Sequence, residues 1–162
     1  MSKEKEYKNG DYKKYFEVTD DKVFGFFEDY RFLSNFYRTP ITINGIRYPS
    51  SEHVYMMCKS KEPLNMRDTE RCLTMSCRDI KIWGSRVELD EQWEQKKYTL
   101  MDKILTYKFT QNENLRNKLI STKGKELIEA NSWGDQYWGY DVNAEKGENN
   151  LGILLMKIRD NI

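Results

Sequence analysis

A chain of 162 residues, one third of them charged and 38% apolar, carries enough apolar material for a single globular domain that can enclose a pocket. Its 27 basic residues against 26 acidic ones exclude the broad basic footprint that drives non-specific nucleic-acid binding through counterion release, so any nucleic-acid contact is expected to be local. No apolar run is long enough to span a bilayer, and the start MSKEKEYKNGDYKK lacks the apolar stretch of a secretory signal; a cytoplasmic protein with no membrane partner is expected.

In chain order, residues 1–22 are rich in Lys, Glu, Asp and Tyr without clean periodicity and read as a charged N-terminal arm, leaving 23–162 as the domain. Residues 23–27 (VFGFF) are β-branched and aromatic, which suits a strand. In PITINGIRYP, Ile41 and Ile43 alternate with polar neighbours, Asn44-Gly45 marks a two-residue turn, and Ile46 to Tyr48 return as the second arm of a β-hairpin. Ser50 or Ser51 then offers an oxygen to cap a helix from Glu52 to about Lys59. A second helix is expected over 65–77 with Met66, Leu73 and Cys77 inward, followed by an irregular connection, IKIWGSRVEL, in which Gly84 is the turn signal.

The longest helix is predicted over 90–109, where Trp93, Leu100, Ile104 and Tyr107 recur at helical spacing. Residues 115–120 and 125–129 read as short helices around Gly124. A terminal helix from about Asn149 places Leu151, Leu154, Leu155 and Ile158 on one stripe. The sum is an α+β fold, predominantly helical, with a small antiparallel sheet. The cysteines, Cys58, Cys72 and Cys77, are odd in number and follow no CxxC spacing, so they support neither a disulfide framework nor a zinc ribbon and read as buried or incidental thiols.

Two stretches could carry chemistry. In YPSSEHVYMMCKS, Glu52 and Lys59 are seven residues apart, hence about 20° apart in direction and roughly 10 Å along a helix axis, with Tyr55 and Met56 on the same face. That is room for a small sugar between an acid and an amine. From spacing alone, the plainer reading prevails: an acid at the start and a base at the end of a helix, each favoured by the dipole. His53, the single histidine, points about 100° away from Glu52 and lacks HExxH or triad spacing, so packing or supporting hydrogen bonds are expected of it. The second stretch is the polar, glycine-rich loop WGDQYWGYDVNAEKGENNLG, with Asp135, Asp141, Asn143 and Asn149; a loop of that length inside a domain is more often functional than filler. It has neither GxGxxG nor a P-loop pattern. Trp93, Trp133 and Trp138 suit a stacking face for a flat ring and ordinary core packing equally.

RFLSNFY (31–37), YPSSEHVYMMCK (48–59), Trp93 on its helix, and YWG followed by GENNLG (147–152) occur in one order, and in that combination the chain resembles the NADAR superfamily, also called the YbiA-like family, from about residue 24 to its end. The resemblance implies an N-glycosidase that cleaves a C1–N bond of a ribosyl group. Family members act on compounds related to ADP-ribose, on phosphoribosylamino-pyrimidine intermediates of riboflavin synthesis, and in some cases on ADP-ribosylated guanine in DNA. It implies Glu52 as the catalytic carboxylate, Lys59 as a lysine that attacks ribose C1 or pairs with phosphate, and Asp141 or Asp135 as the loop aspartate that protonates the base or holds the ribose hydroxyls. It implies Phe32, Ser34, Asn35, Trp93, Trp138, Gly139 and Asn149 as substrate-binding residues. No cofactor, metal or obligate protein partner is implied; the expected partner is an ADP-ribosyl or phosphoribosyl substrate, with ADP-ribosylated DNA contacted locally. The loop after YWG is more acidic than the family pattern, and the charged arm has no counterpart in it.

Overall fold

The computed structural model describes residues 10–162. Its elements are β1 (Glu17–Val18), β2 (Lys22–Phe24), β3 (Ile41–Ile43), β4 (Ile46–Tyr48), α1 (Ser51–Met57), α2 (Met66–Leu73), α3 (Cys77–Arg86), α4 (Trp93–Thr110), α5 (Glu113–Ser121), β5 (Glu126–Ile128), β6 (Ala130–Asn131), β7 (Tyr140–Asp141) and α6 (Asn150–Asn161). They group into two compact units, one joining the chain up to Ser34 with Asn114–Ile162, the other comprising Asn35–Glu113. The α+β class is as expected. Among the described residues, no helix is long and apolar enough to cross a membrane.

In the first unit β1 pairs antiparallel with β2, β2 pairs parallel with β5, and β6 pairs parallel with β7. The three-stranded sheet is therefore mixed and the β6–β7 pair parallel, whereas the sequence suggested a small antiparallel sheet. Residues 125–129, expected as a helix, supply β5 instead: Leu127 is fully buried opposite Val23, and a three-residue segment that pairs on one edge with β2 gains more than a single helical turn could. Of the stretch read as an arm, residues 1–9 lie outside the described residues. Residues 10–22 carry a 3-10 turn, Asp11–Lys14, and β1. Aromatic packing explains the order there, since the ring of Tyr12 stacks on Phe27 at 4.4 Å while Tyr15 and Phe16 meet the same ring edge-on. In α6 the predicted stripe is fully realised, with Leu151, Leu154, Leu155 and Ile158 all buried.

In the second unit the hairpin forms in the predicted register, Ile41 opposite Tyr48 and Ile43 opposite Ile46, with Asn44 and Gly45 both at positive φ as a type I′ turn requires. Two expectations are corrected. The helix expected over 65–77 forms as α2 but stops at Leu73, and a further helix, α3, begins at Cys77; each is capped by a side-chain oxygen, Asn65 for the first and Ser76 for the second. Met66 at the start of α2 is 79% exposed and faces outward. The supposed irregular connection is α3 itself. Gly84 lies inside that helix because a Cβ there would stand 2.3 Å from the sulfur of Met56, so glycine marks the close approach of α3 to α1, not a turn. On α4, the buried stripe is Trp93, Met101, Ile104, Leu105, Lys108 and Phe109; Tyr107, expected inward, is 42% exposed, and the apolar face is turned by one residue from the expected one.

Candidate active site

The site starts from a well-made helix beginning. The Ser50 hydroxyl caps α1 by accepting from the His53 N–H at 3.2 Å, and its Oγ lies 2.7 Å from Nδ1 of the His53 ring. Nε2 of that ring lies 2.8 Å from the Met75 carbonyl oxygen. A carbonyl only accepts, so Nε2 carries the proton and Nδ1 accepts from Ser50. Burial pushes the imidazolium of His53 below its ordinary pKa and keeps the ring neutral. His53 is thus the packing and hydrogen-bonding residue the sequence suggested. Asn35 holds the same turn from outside: its carbonyl oxygen accepts from the Glu52 N–H at 3.1 Å and its Oδ1 accepts from the Ser51 hydroxyl at 2.8 Å. The Asn35 side-chain amide, expected to bind substrate, also donates from Nδ2 to the Met101 sulfur at 3.7 Å.

Glu52 itself is buried, at 6% exposure, in the first turn of α1. The helix ends at Met57, two residues before Lys59, so the seven-residue helical stripe is not completed; Lys59 stands in the following turn, its N–H donating to the Met56 carbonyl at 3.1 Å. From there its ammonium reaches back over the Tyr55 ring at 5.3 Å and the Trp93 ring at 5.8 Å from their centroids. These rings meet at 5.0 Å with a 54° tilt. Backbone bonds lock the arrangement: the Asp90 N–H donates to the Lys59 carbonyl at 2.9 Å and the Trp93 N–H to the Asp90 carbonyl at 3.0 Å. Burial pulls the Lys59 pKa below the ordinary lysine value, the Glu52 carboxylate partly restores it, and the charges of Lys81 and Lys97 add to the lowering. Met56, which shares the predicted stripe, packs into α3 at Gly84 and contributes core. The second unit therefore brings together Glu52, Tyr55, Lys59 and Trp93.

The remaining candidates belong to the first unit, where most of their polar atoms serve the loop itself. Oδ1 of Asp135 accepts from the N–H groups of Tyr137 and Trp138 at 3.2 and 2.9 Å. Asp141, 5% exposed, accepts at Oδ1 from Asn143 and Ala144 and at Oδ2 from Gln136 Nε2 at 3.1 Å. Burial alone would raise its pKa, but these donors outweigh burial and hold it below the usual carboxylate range. Asp141 thus closes the loop, accepting at both of its oxygens. Asn149 bridges to β5, its Oδ1 accepting from Glu129 N–H at 2.9 Å and its Nδ2 donating to the Leu127 carbonyl at 3.0 Å. Gly139 is required because a Cβ would stand 2.3 Å from the Glu129 carbonyl oxygen. Trp138 is half-buried and edge-on to Tyr137 at 4.8 Å. Phe32 is buried beneath the Lys118 ammonium, and the Ser34 N–H closes the preceding 3-10 turn onto the Arg31 carbonyl. The sequence reading missed Gln136 and Asn131, the buried amide that ties Asp135 to Tyr140. Nothing in their spacing distinguishes them from solvated loop residues.

A family model described as the NADAR domain matches residues 15–162. The N-glycosidase YbiA of Shigella flexneri serotype 5b is 33% identical over 149 residues, covering 90% of this chain and 91% of that protein. A riboflavin biosynthesis protein of Vibrio vulnificus is 33% identical over 141 residues, 83% of this chain and 36% of its own length. The NMR structure of the Escherichia coli protein YbiA superposes with a TM-score of 0.74 at 31% identity, covering 90% of this chain and 87% of that one.

Proposed function

This chain belongs to the NADAR family and is a hydrolase of N-glycosyl bonds, and we propose that it breaks the C1–N bond of a ribosyl compound with Glu52 facing the anomeric carbon. The observation that carries the reading is a carboxylate at 6% exposure in the first turn of α1, with Lys59, Tyr55 and Trp93 gathered in the same unit. As the bond lengthens, its electron pair goes to the departing base nitrogen and positive charge grows on C1 and the ring oxygen. A fixed carboxylate in a poorly solvated setting stabilises that charge and takes a proton from the incoming water, whose oxygen ends on C1 and whose proton ends on the departing base nitrogen, restoring the carboxylate. Tyr55 and Trp93 supply apolar and aromatic surface for the substrate.

Lysine as nucleophile is the second element of the proposal. Burial lowers the Lys59 pKa toward the neutral amine, which attacks C1 as the bond to the base breaks and the base leaves with its electron pair; ring opening turns the adduct into a Schiff base between C1 and Nζ, and water hydrolyses that imine to release the sugar and the amine. The first substrate proposed is ADP-ribose attached to guanine in nucleic acid. A phosphoribosylamino-pyrimidine is the second, favoured by the name of the Vibrio vulnificus relative. Incubating the protein separately with ADP-ribosylated DNA and with the pyrimidine intermediates decides between them: release of free ADP-ribose supports the first, ribose 5-phosphate the second, and no release from either overturns the reading. Borohydride trapping of a sugar on Lys59 tests the covalent route.

A further inference from the structure

Between Asp29 and Glu52 the sequence holds no Asp or Glu, although 26 acidic residues are spread over the chain. That stretch contains the hairpin β3–β4, and at its base a cleft of about 300 Å³ is lined by Arg38, Thr39, Pro40, Arg47, Tyr48 and Pro49. The floor is rigid: the Thr39 N–H donates to the Pro49 carbonyl at 3.0 Å, and two prolines fix the backbone on either side. Both arginines are exposed, and neither has an ion pair or hydrogen bond among the described residues. Burial holds the Tyr48 phenol above its ordinary pKa, so it is a neutral donor.

We propose that this cleft binds a phosphate group, gripped from two sides by the guanidinium forks of Arg38 and Arg47. The fork matches phosphate geometry with paired N–H donors, and here no carboxylate has to be displaced first. Phosphate can come from two sources, a terminal sugar phosphate or the backbone of a nucleic acid. Ser50 and Ser51 alone separate Pro49 from Glu52, at most about 10 Å of extended chain, and we assign the phosphate of the ribosyl substrate to this cleft. That last step rests on the glycosidase reading; the anion site does not.

The test is binding of ribose 5-phosphate and, separately, of an unmodified single-stranded DNA oligonucleotide to the full chain at low salt, without turnover. The paired substitution Arg38→Gln with Arg47→Gln is compared with Arg67→Gln with Arg86→Gln, which removes the same two charges from exposed positions elsewhere in the second unit. The expected result is a loss of about tenfold or more for the first pair and less than about twofold for the second. Loss confined to the sugar phosphate assigns the site to a terminal phosphate; loss confined to the oligonucleotide, or its steeper salt dependence, assigns it to the backbone. Equal losses in the two pairs, or no binding of either probe, overturn the site. Turnover without a site-specific binding loss sinks this inference alone, and site-specific binding without turnover sinks the glycosidase reading alone.

Discussion

Glu52 and Asp141 are carboxylates of nearly equal burial, 6% and 5% exposed, placed in two very different settings. Asp141 lies in a loop whose own N–H groups and the Gln136 amide converge on both of its oxygens. Glu52 sits on a helix whose start is secured by other residues, Ser50, His53 and Asn35, and shares its surroundings with a lysine of lowered pKa and two rings. Burial by itself thus says little about function. The two differ in company: amide groups of the loop converge on Asp141, whereas a lysine and two aromatic rings share the unit of Glu52.

Glu52→Gln breaks the comparison most severely if it is right: turnover should fall by about 100-fold or more with KM little changed, since an amide neither stabilises the cationic sugar nor takes a proton. Release of ADP-ribose or ribose 5-phosphate measures it, and wild-type turnover in the variant would remove Glu52 from the mechanism. On the loop, Gly139→Ala should cost about 3 kcal/mol of stability, read from a denaturant midpoint, because the new methyl meets the Glu129 carbonyl. Trp93→Ala should raise KM by about tenfold, the value of one stacking platform, with a smaller effect on kcat.

Asp141→Asn sharpens the contrast from the other side. It should cost about 1–2 kcal/mol of stability by weakening the charged acceptor, and lower turnover far less than Glu52→Gln does. Its acid behaviour has a definite sign: with a folded pKa below the ordinary carboxylate value, the Asp141 contribution is complete above about pH 4 and is lost as pH falls through the lowered value. The smallest effect belongs to His53. Its folded pKa is lowered, so below about pH 6.5 the unfolded chain takes up a proton that the folded chain refuses, and stability drops as pH falls from there toward the folded value. It is the one histidine in the chain, so denaturant midpoints at pH 7 and pH 5 read it directly, and a flat profile would contradict the buried neutral ring.

Local codes carried much of this molecule. Asn44-Gly45 set a two-residue turn, Ser50 set the start of α1, and the leucine stripe of α6 was readable because each signal lies within one helical turn or one hairpin. Glu52, Lys59 and Trp93 were singled out by the resemblance to the NADAR family, since from spacing alone they read as dipole-favoured charges and core. Gly84 shows where such reading stops: a glycine within ten residues of helix signals a turn locally, and only the approach of Met56 from α1 reveals that it serves packing.

From the sequence alone came the class of fold, the hairpin and the terminal helix, because these depend on periodicity and on turn chemistry at short separation. The tertiary structure alone decided that residues 126–128 pair as a strand with β2, that the Asn35 carbonyl accepts from the Glu52 N–H, that Asp135 and Asp141 accept from N–H groups of the loop, and that Asn149 bridges to the end of β5. Each of those outcomes is a partnership across a long stretch of chain or within a loop without periodicity. A residue's type states which bonds it can make, and only the folded backbone determines which partners are there to accept them.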